Sequence, residues 1–187
     1  MRSFLAIFAG CFLLIQPSSA SAPTQASKLF LLEDASNNQW CSYIAESTWK
    51  VRVQQVGAMN VGTVAYSNGH LSQVDMTETD ESGDWTVYDH YFFDDHGRLV
   101  RLSRLLNVLP GDRSVSESFS ISKGKATKTA TSEKHLSTGK PTTSPTADWL
   151  PEVSIVTAAN MFPFSALLSL PGLRTSPTSC VKVPAAQ

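Results

Sequence analysis

The sequence has none of the short motifs that carry common chemistries: no G-x-S-x-G, no glycine-rich phosphate loop, no H-E-x-x-H and no C-x-x-C. That removes the motif-borne forms of nucleophilic, phosphate-binding, metalloprotease and dithiol catalysis. Charge of either sign is sparse and balanced, with 15 Lys and Arg against 16 Asp and Glu, a net charge of −1 and no basic cluster, so no electrostatic footprint for nucleic acid is present. No Asn-x-Ser/Thr acceptor occurs, which fits a bacterial source. Cysteine is scarce, at three residues.

What is present begins with a secretory signal: Met1-Arg2, an apolar run from Phe4 to Ile15, and Ser18-Ser19-Ala20 ahead of a cleavage point after Ala20. Phe8-Ala9-Gly10-Cys11 resembles a bacterial lipobox, but the apolar run continues through Phe12 to Ile15, where a lipobox would end it. The remaining chain of about 167 residues is the size of one domain. Cys11 leaves with the signal, and Cys41 and Cys180 remain as an even pair in an exported protein, which predicts a disulfide. That link closes a loop of about 140 residues, for which the chain-entropy argument gives about 4 to 5 kcal/mol.

The organising stretch is Trp85 to Val108 (WTVYDHYFFDDHGRLVRLSRLLNV). Two runs of aromatic and β-branched residues flank Asp95-His96-Gly97, a three-residue hairpin loop whose glycine takes positive φ at no Cβ cost. Asp94 then faces Arg98, and the expected pairs run Phe93 with Leu99, Phe92 with Val100, Tyr91 with Arg101, His90 with Leu102, Asp89 with Ser103 and Tyr88 with Arg104. By alternation one face carries Trp85, Val87, Tyr91, Phe93, Leu99 and Leu105, and the other Tyr88, Phe92, Val100, Leu102 and Leu106. A hairpin apolar on both sides needs cover on both sides.

Around it the turn chemistry spells a meander. Asn68-Gly69, Ser82-Gly83-Asp84, Leu109 to Asp112 and Lys123-Gly124 separate strands at Val61 to Tyr66, Leu71 to Thr79, the hairpin and Ser114 to Ser122. The polar, lysine-bearing run Lys125 to Glu133 suits an exposed edge strand. From Trp40 to Val56 the alternation predicts one or two strands, with a short helix over Ser42 to Ser47 as the competing reading. The whole reads as a signal peptide (1–20), an N-terminal extension (21–39), an antiparallel β domain (40–136), a Ser/Thr/Pro linker (137–147) and a C-terminal segment (148–187) that packs back on the β domain. In that last segment Asp148 caps a helix through Val156, and a second helical turn covers Ser165 to Leu170. Residues 153–173 carry no charge, but Asn160, Pro163 and Pro171 interrupt them, so a membrane span is disfavoured and burial on the sheet is preferred. The fold class is therefore mainly β: a curved antiparallel meander of six or seven strands with an apolar, partly helical C-terminal segment on one face.

Candidate site residues follow from the hairpin. Asp89, diagonal to Arg101, forms with Tyr91, Phe93 and Leu105 a polar spot in an apolar face able to take a ligand, with Ser103 beside it, or else a structural ion pair. His90, Asp94, Asp95 and His96 have metal-ligand chemistry, but His90 and Asp94 lie roughly 13 Å apart along a strand and the other two are explained by the turn. Tyr88 opposite Arg104 suggests a cation–π contact. A Cys41 nucleophile assisted by His70 or His135 is outweighed by the disulfide. Tyr66 to Leu71 and Phe93-Asp94-Asp95-His96-Gly97-Arg98-Leu99 share an aromatic residue, a polar turn with Gly, one polar residue and Leu, and the second resembles a single unit of the YD-type repeats of bacterial surface and toxin proteins; without further copies at a fixed period it implies no function.

These readings converge on an exported, periplasmic or secreted, non-enzymatic binding or interaction module. It needs no metal or other cofactor, and its partner is a protein or an apolar small molecule rather than nucleic acid. The alternatives are a carrier of a lipid or other apolar ligand, resembling periplasmic lipoprotein carriers, and a hydrolase whose residues meet only in the fold.

Overall fold

The structure, a computed structural model, describes residues 25–142 and 153–183. The expected signal segment, the lipobox-like cysteine and the capped helix start at Asp148 lie outside the described residues.

β1 (Lys28–Asp34) and β2 (Gln39–Tyr43) form a tight hairpin around a 3₁₀ turn at Ala35–Asn37, which the Asp34 carboxylate caps by accepting from the Asn37 N–H. α1 (Glu46–Val56) follows and ends at Gly57 in the left-handed region (φ 60°). The meander then runs β3 (Asn60–Ser67), β4 (His70–Thr79), β5 (Trp85–Phe93), β6 (Leu99–Val108), β7 (Arg113–Ser122) and β8 (Lys125–His135). After a strap with one helical turn, α2 (Ser165–Leu168), the chain closes on β9 (Thr178–Lys182). All nine strands are antiparallel in one open sheet, in the order β8-β7-β6-β5-β4-β3-β1-β2-β9. The two-residue turns behave as their sequences demand: Asn68 and Gly69 sit at φ 50° and 84°, Lys123 and Gly124 at 52° and 72°.

The architecture is thus the expected meander with an apolar, partly helical segment across one face, built from nine strands rather than six or seven. Three local expectations are corrected. The stretch read as an N-terminal extension holds β1, an interior strand whose Leu29 and Leu31 face the strap while Phe30 and Leu32 face α1. A strand covered on both sides reads as a plain apolar run, without alternation to announce it. The region Trp40 to Val56 is one strand and one helix, and the helix begins at Glu46, sharing only Glu46 and Ser47 with the span Ser42 to Ser47. Trp49, Val53 and Val56, spaced for one helical face, pack on Phe30, Leu32 and Tyr43, and the Trp49 indole N–H donates to the Leu31 carbonyl at 2.8 Å. Finally, Val153 to Val156 is not helical.

The strap, residues 153–177, lays Phe162, Phe164, Leu167 and Leu173 on Leu29, Leu31, Val64, Val74, Tyr91, Phe93 and Leu102. β9 then pairs with β2 so that Cys41 and Cys180 stand directly opposite, with Cα atoms 4.1 Å apart, and they are disulfide-bonded. β8, with its Lys and Thr side chains, is an edge strand as expected. The first residues of the expected linker stay attached to the sheet: the Ser137 N–H and hydroxyl donate to Asp112, and Pro141 bridges Lys134; residues 143–147 lie outside the described residues.

Candidate functional site

The buried face of β5 carries Trp85, Val87, Asp89, Tyr91 and Phe93. Across it the register departs from the expected one. A bulge between Phe92 and Phe93 leaves Phe93 opposite Leu99 but pairs Phe92 with Arg101, Tyr91 with Leu102, His90 with Ser103, Asp89 with Arg104 and Tyr88 with Leu105. Val100 is the extra residue, and beyond it every side chain of β6 is shifted to the other face. Arg104 therefore lies beside Asp89, and Arg101 and Leu105 turn away from it. Arg101 stacks on the Phe92 ring at 4.0 Å on the opposite face, and Tyr88 faces Leu105 instead of Arg104.

Asp89 and Arg104 are each 6% exposed. Arg104 Nε donates to Asp89 Oδ1 at 2.8 Å and Nη2 to Oδ2 at 2.7 Å, a bidentate pair, and the Tyr91 hydroxyl donates to the same carboxylate at 3.0 Å. The guanidinium also fastens the start of the strap, Nη1 donating to the Val153 carbonyl at 2.9 Å and Nη2 to that of Ser154 at 3.0 Å. Burial, then the neighbouring Asp89 charge, pushes the Tyr91 hydroxyl well above its ordinary pKa. Burial works against the Arg104 charge but is outweighed by the hydrogen bonds and charge of Asp89, so its pKa is raised.

Next to this pair the strap and the sheet separate around a cavity of about 350 Å³. Met76 and Glu78 of β4 and Trp85, Val87, Asp89 and Tyr91 of β5 form its floor; Val153, Ser154, Val156, Met161, Phe162 and Pro163 of the strap form its roof. One end is closed by aromatic packing. Phe162 meets Tyr91 edge-on at 5.0 Å and stacks on Phe164 at 5.1 Å, and Phe164 rests against Trp40. Glu78 stands at the mouth, solvent-exposed, and makes no side-chain hydrogen bond or ion pair with a described residue. Partial burial, then Asp89 and Glu33, raise its pKa against the opposing pull of Arg104. Beside it on the same face Asn60 donates to Glu33 at 2.5 Å, and the Asn60 amide oxygen is buried without a hydrogen-bond partner among the described residues. A wider hollow of about 540 Å³ between Tyr66, Leu71 and the Ala159 to Ser169 part of the strap is open and lined by no charged side chain.

Of the residues singled out in the sequence, Asp89 and Tyr91 line the cavity, and Phe93 is buried at its closed end, 6.4 Å from Phe162. Arg101 and Leu105 are not brought to it. His90 pairs with Asp75 at 2.8 Å on the opposite face, where Gln73 and Thr63 also donate to Asp75. Asp94 organises the hairpin loop, accepting from the His96 and Arg98 N–H groups and from the Arg98 side chain, which hold its carboxyl at about 2. Among the described residues no group of three or more His, Cys, Asp or Glu side chains is arranged to hold a metal ion. His135 approaches Asp112 at 3.3 Å, but the Ser137 hydroxyl donates to that same carboxylate, so the imidazole is not interposed between serine and acid. No helix among the described residues is long and apolar enough to cross a membrane.

Sequence reasoning missed Arg104, Glu78 and the strap residues. Arg104 was hidden by the bulge, and Glu78 lay in a strand whose face assignment depends on its neighbours. Comparison with known proteins adds nothing to this geometry: no family, no curated protein and no solved structure matches the chain.

Proposed function

We propose that this chain is an exported, non-enzymatic binding module that holds a compact small molecule between β4–β5 and the strap. The observation that carries this reading is the cavity of about 350 Å³ itself, apolar over most of its wall, with a carboxylate at its mouth that makes no side-chain hydrogen bond or ion pair among the described residues. Its size is at the small end of ligand pockets. A lipid carrier would need the rest of this face open, whereas Phe162, Phe164 and Leu167 fill it. Export is supported by the apolar run Phe4 to Ile15 and by the disulfide.

The test is a ligand-observed NMR screen of compact aromatic compounds against the native chain and a Val156→Trp variant, in which the indole occupies the cavity. Native protein binds members of the set, and the variant, still folded by its thermal transition, loses them at least about tenfold, as expected when a pocket is filled. Equal binding to both proteins, or binding to neither, overturns the reading.

A further inference from the structure

We infer that the ligand is an organic monocation, a protonated amine carried on a compact apolar or aromatic body, with its ammonium group at Glu78 and its body between Trp85, Tyr91 and Phe162. This rests on the cavity being a binding site and adds the charge of its occupant. The charges around the cavity decide the sign. Asp89 and Arg104 cancel in a bidentate pair, and the Nε, Nη1 and Nη2 donors of Arg104 are engaged by Asp89 and by the Val153 and Ser154 carbonyls. The Tyr91 hydroxyl is turned to Asp89 as well. Among the described residues an anionic ligand therefore meets no available cation here, while Glu78, with Glu33 behind it, leaves uncompensated negative charge at the mouth.

Among the described residues the carboxylate also has no hydrogen-bond or ion-pair partner. The other acidic side chains on this part of the sheet are occupied: Asp89 by Arg104 and Tyr91, Glu33 by Asn60, Asp75 on the opposite face by Thr63, Gln73 and His90. Glu78 alone has none of these, in surroundings that disfavour its charge. A carboxylate with no partner among the described residues, beside an aromatic-walled cavity, matches recognition of an ammonium ion by one carboxylate and π faces. A metal ion fits less well, since the described residues offer no cluster of ligands for one.

The experiment is calorimetric titration near neutral pH with three probes of one shape: 2-phenylethylamine, 2-phenylethanol and 3-phenylpropionate. The amine is expected to bind about fivefold to tenfold more tightly than the alcohol, the range for a charge-assisted hydrogen bond at a partly solvated site, and the carboxylate most weakly. Glu78→Gln, which keeps the shape of the side chain, brings the amine down to the affinity of the alcohol. If the alcohol binds as well as the amine, or the amine is indifferent to Glu78→Gln, the charge inference falls while the binding site stands, provided Val156→Trp still abolishes binding. If none of the three probes binds the native chain at millimolar concentration, the binding site falls and the inference with it.

Discussion

Arg104 has two tasks, neutralising Asp89 and holding the strap by two backbone carbonyls. Arg104→Met removes both and leaves a carboxylate 6% exposed with, among the described residues, the Tyr91 hydroxyl as its remaining hydrogen-bond partner, so chemical denaturation should report a loss of about 3–5 kcal/mol. Replacing both partners, as Asp89→Leu with Arg104→Met, recovers the part due to the stranded charge but not the strap contacts; a double variant as unstable as the single would contradict this division. Glu78 points the other way. Its folded-state pKa is raised, by burial first and then by Asp89 and Glu33 against Arg104. Its ionisation therefore costs nothing below the unfolded value and destabilises increasingly as pH rises through the folded one. Glu78→Gln should thus melt higher than the native chain near pH 7 and converge with it toward about pH 3, where the carboxyl is protonated folded or unfolded. An advantage that persists in acid contradicts the assignment. A third residue is fixed by space alone: a Cβ at Gly62 would lie 2.6 Å from the Asp75 carbonyl oxygen, so Gly62→Ala should cost about 1–3 kcal/mol. Asp89 could be picked from the sequence because it interrupts an apolar face. Arg104 could not, because one unpaired residue, Val100, decides which way every later side chain of β6 points.

At the scale of elements, the strap is held by aromatic packing in the middle and by a covalent bond beyond its end. Phe162 touches Tyr91, Phe93 and Phe164, and Phe162→Ala should lower stability by about 3–5 kcal/mol, measured by denaturant unfolding. The Cys41–Cys180 bond ties β9 to β2, and replacing both cysteines with serine should cost about 2–5 kcal/mol, at most the chain-entropy figure, with amide exchange rising first in β9 and the adjoining strap. Exchange that rises first in the β5–β6 hairpin would contradict that order. The disulfide was readable from the pair of cysteines that remains beyond the expected signal segment, but its place between neighbouring strands was not, since β2 and β9 are separated by most of the sequence. Turns at Asn68-Gly69 and Lys123-Gly124 were readable because their positive φ values restrict which residues fit. α1 was not, because Trp49, Val51 and Val53 imitate strand alternation, while only the packed structure singles out Trp49, Val53 and Val56.

The whole molecule is an asymmetric layer. One face of the sheet is roofed by the strap; the other is covered by α1 at the β1–β2 end, and among the described residues nothing covers Tyr88 and Val100, both exposed. The sequence told of an apolar segment needing a sheet and a hairpin needing cover, and the two satisfy each other on one face. It did not tell that the fit would be incomplete, because a cavity is the difference between two packed surfaces. Whether that space is a binding site is tested most directly by methyl NMR of the native chain titrated with 2-phenylethylamine. Shifts are expected to be confined to Met76, Val87, Val153, Val156 and Met161, around the cavity, with Val51 and Val100 on exposed surface unmoved. Shifts centred on Val100, or no shifts at all, would contradict it.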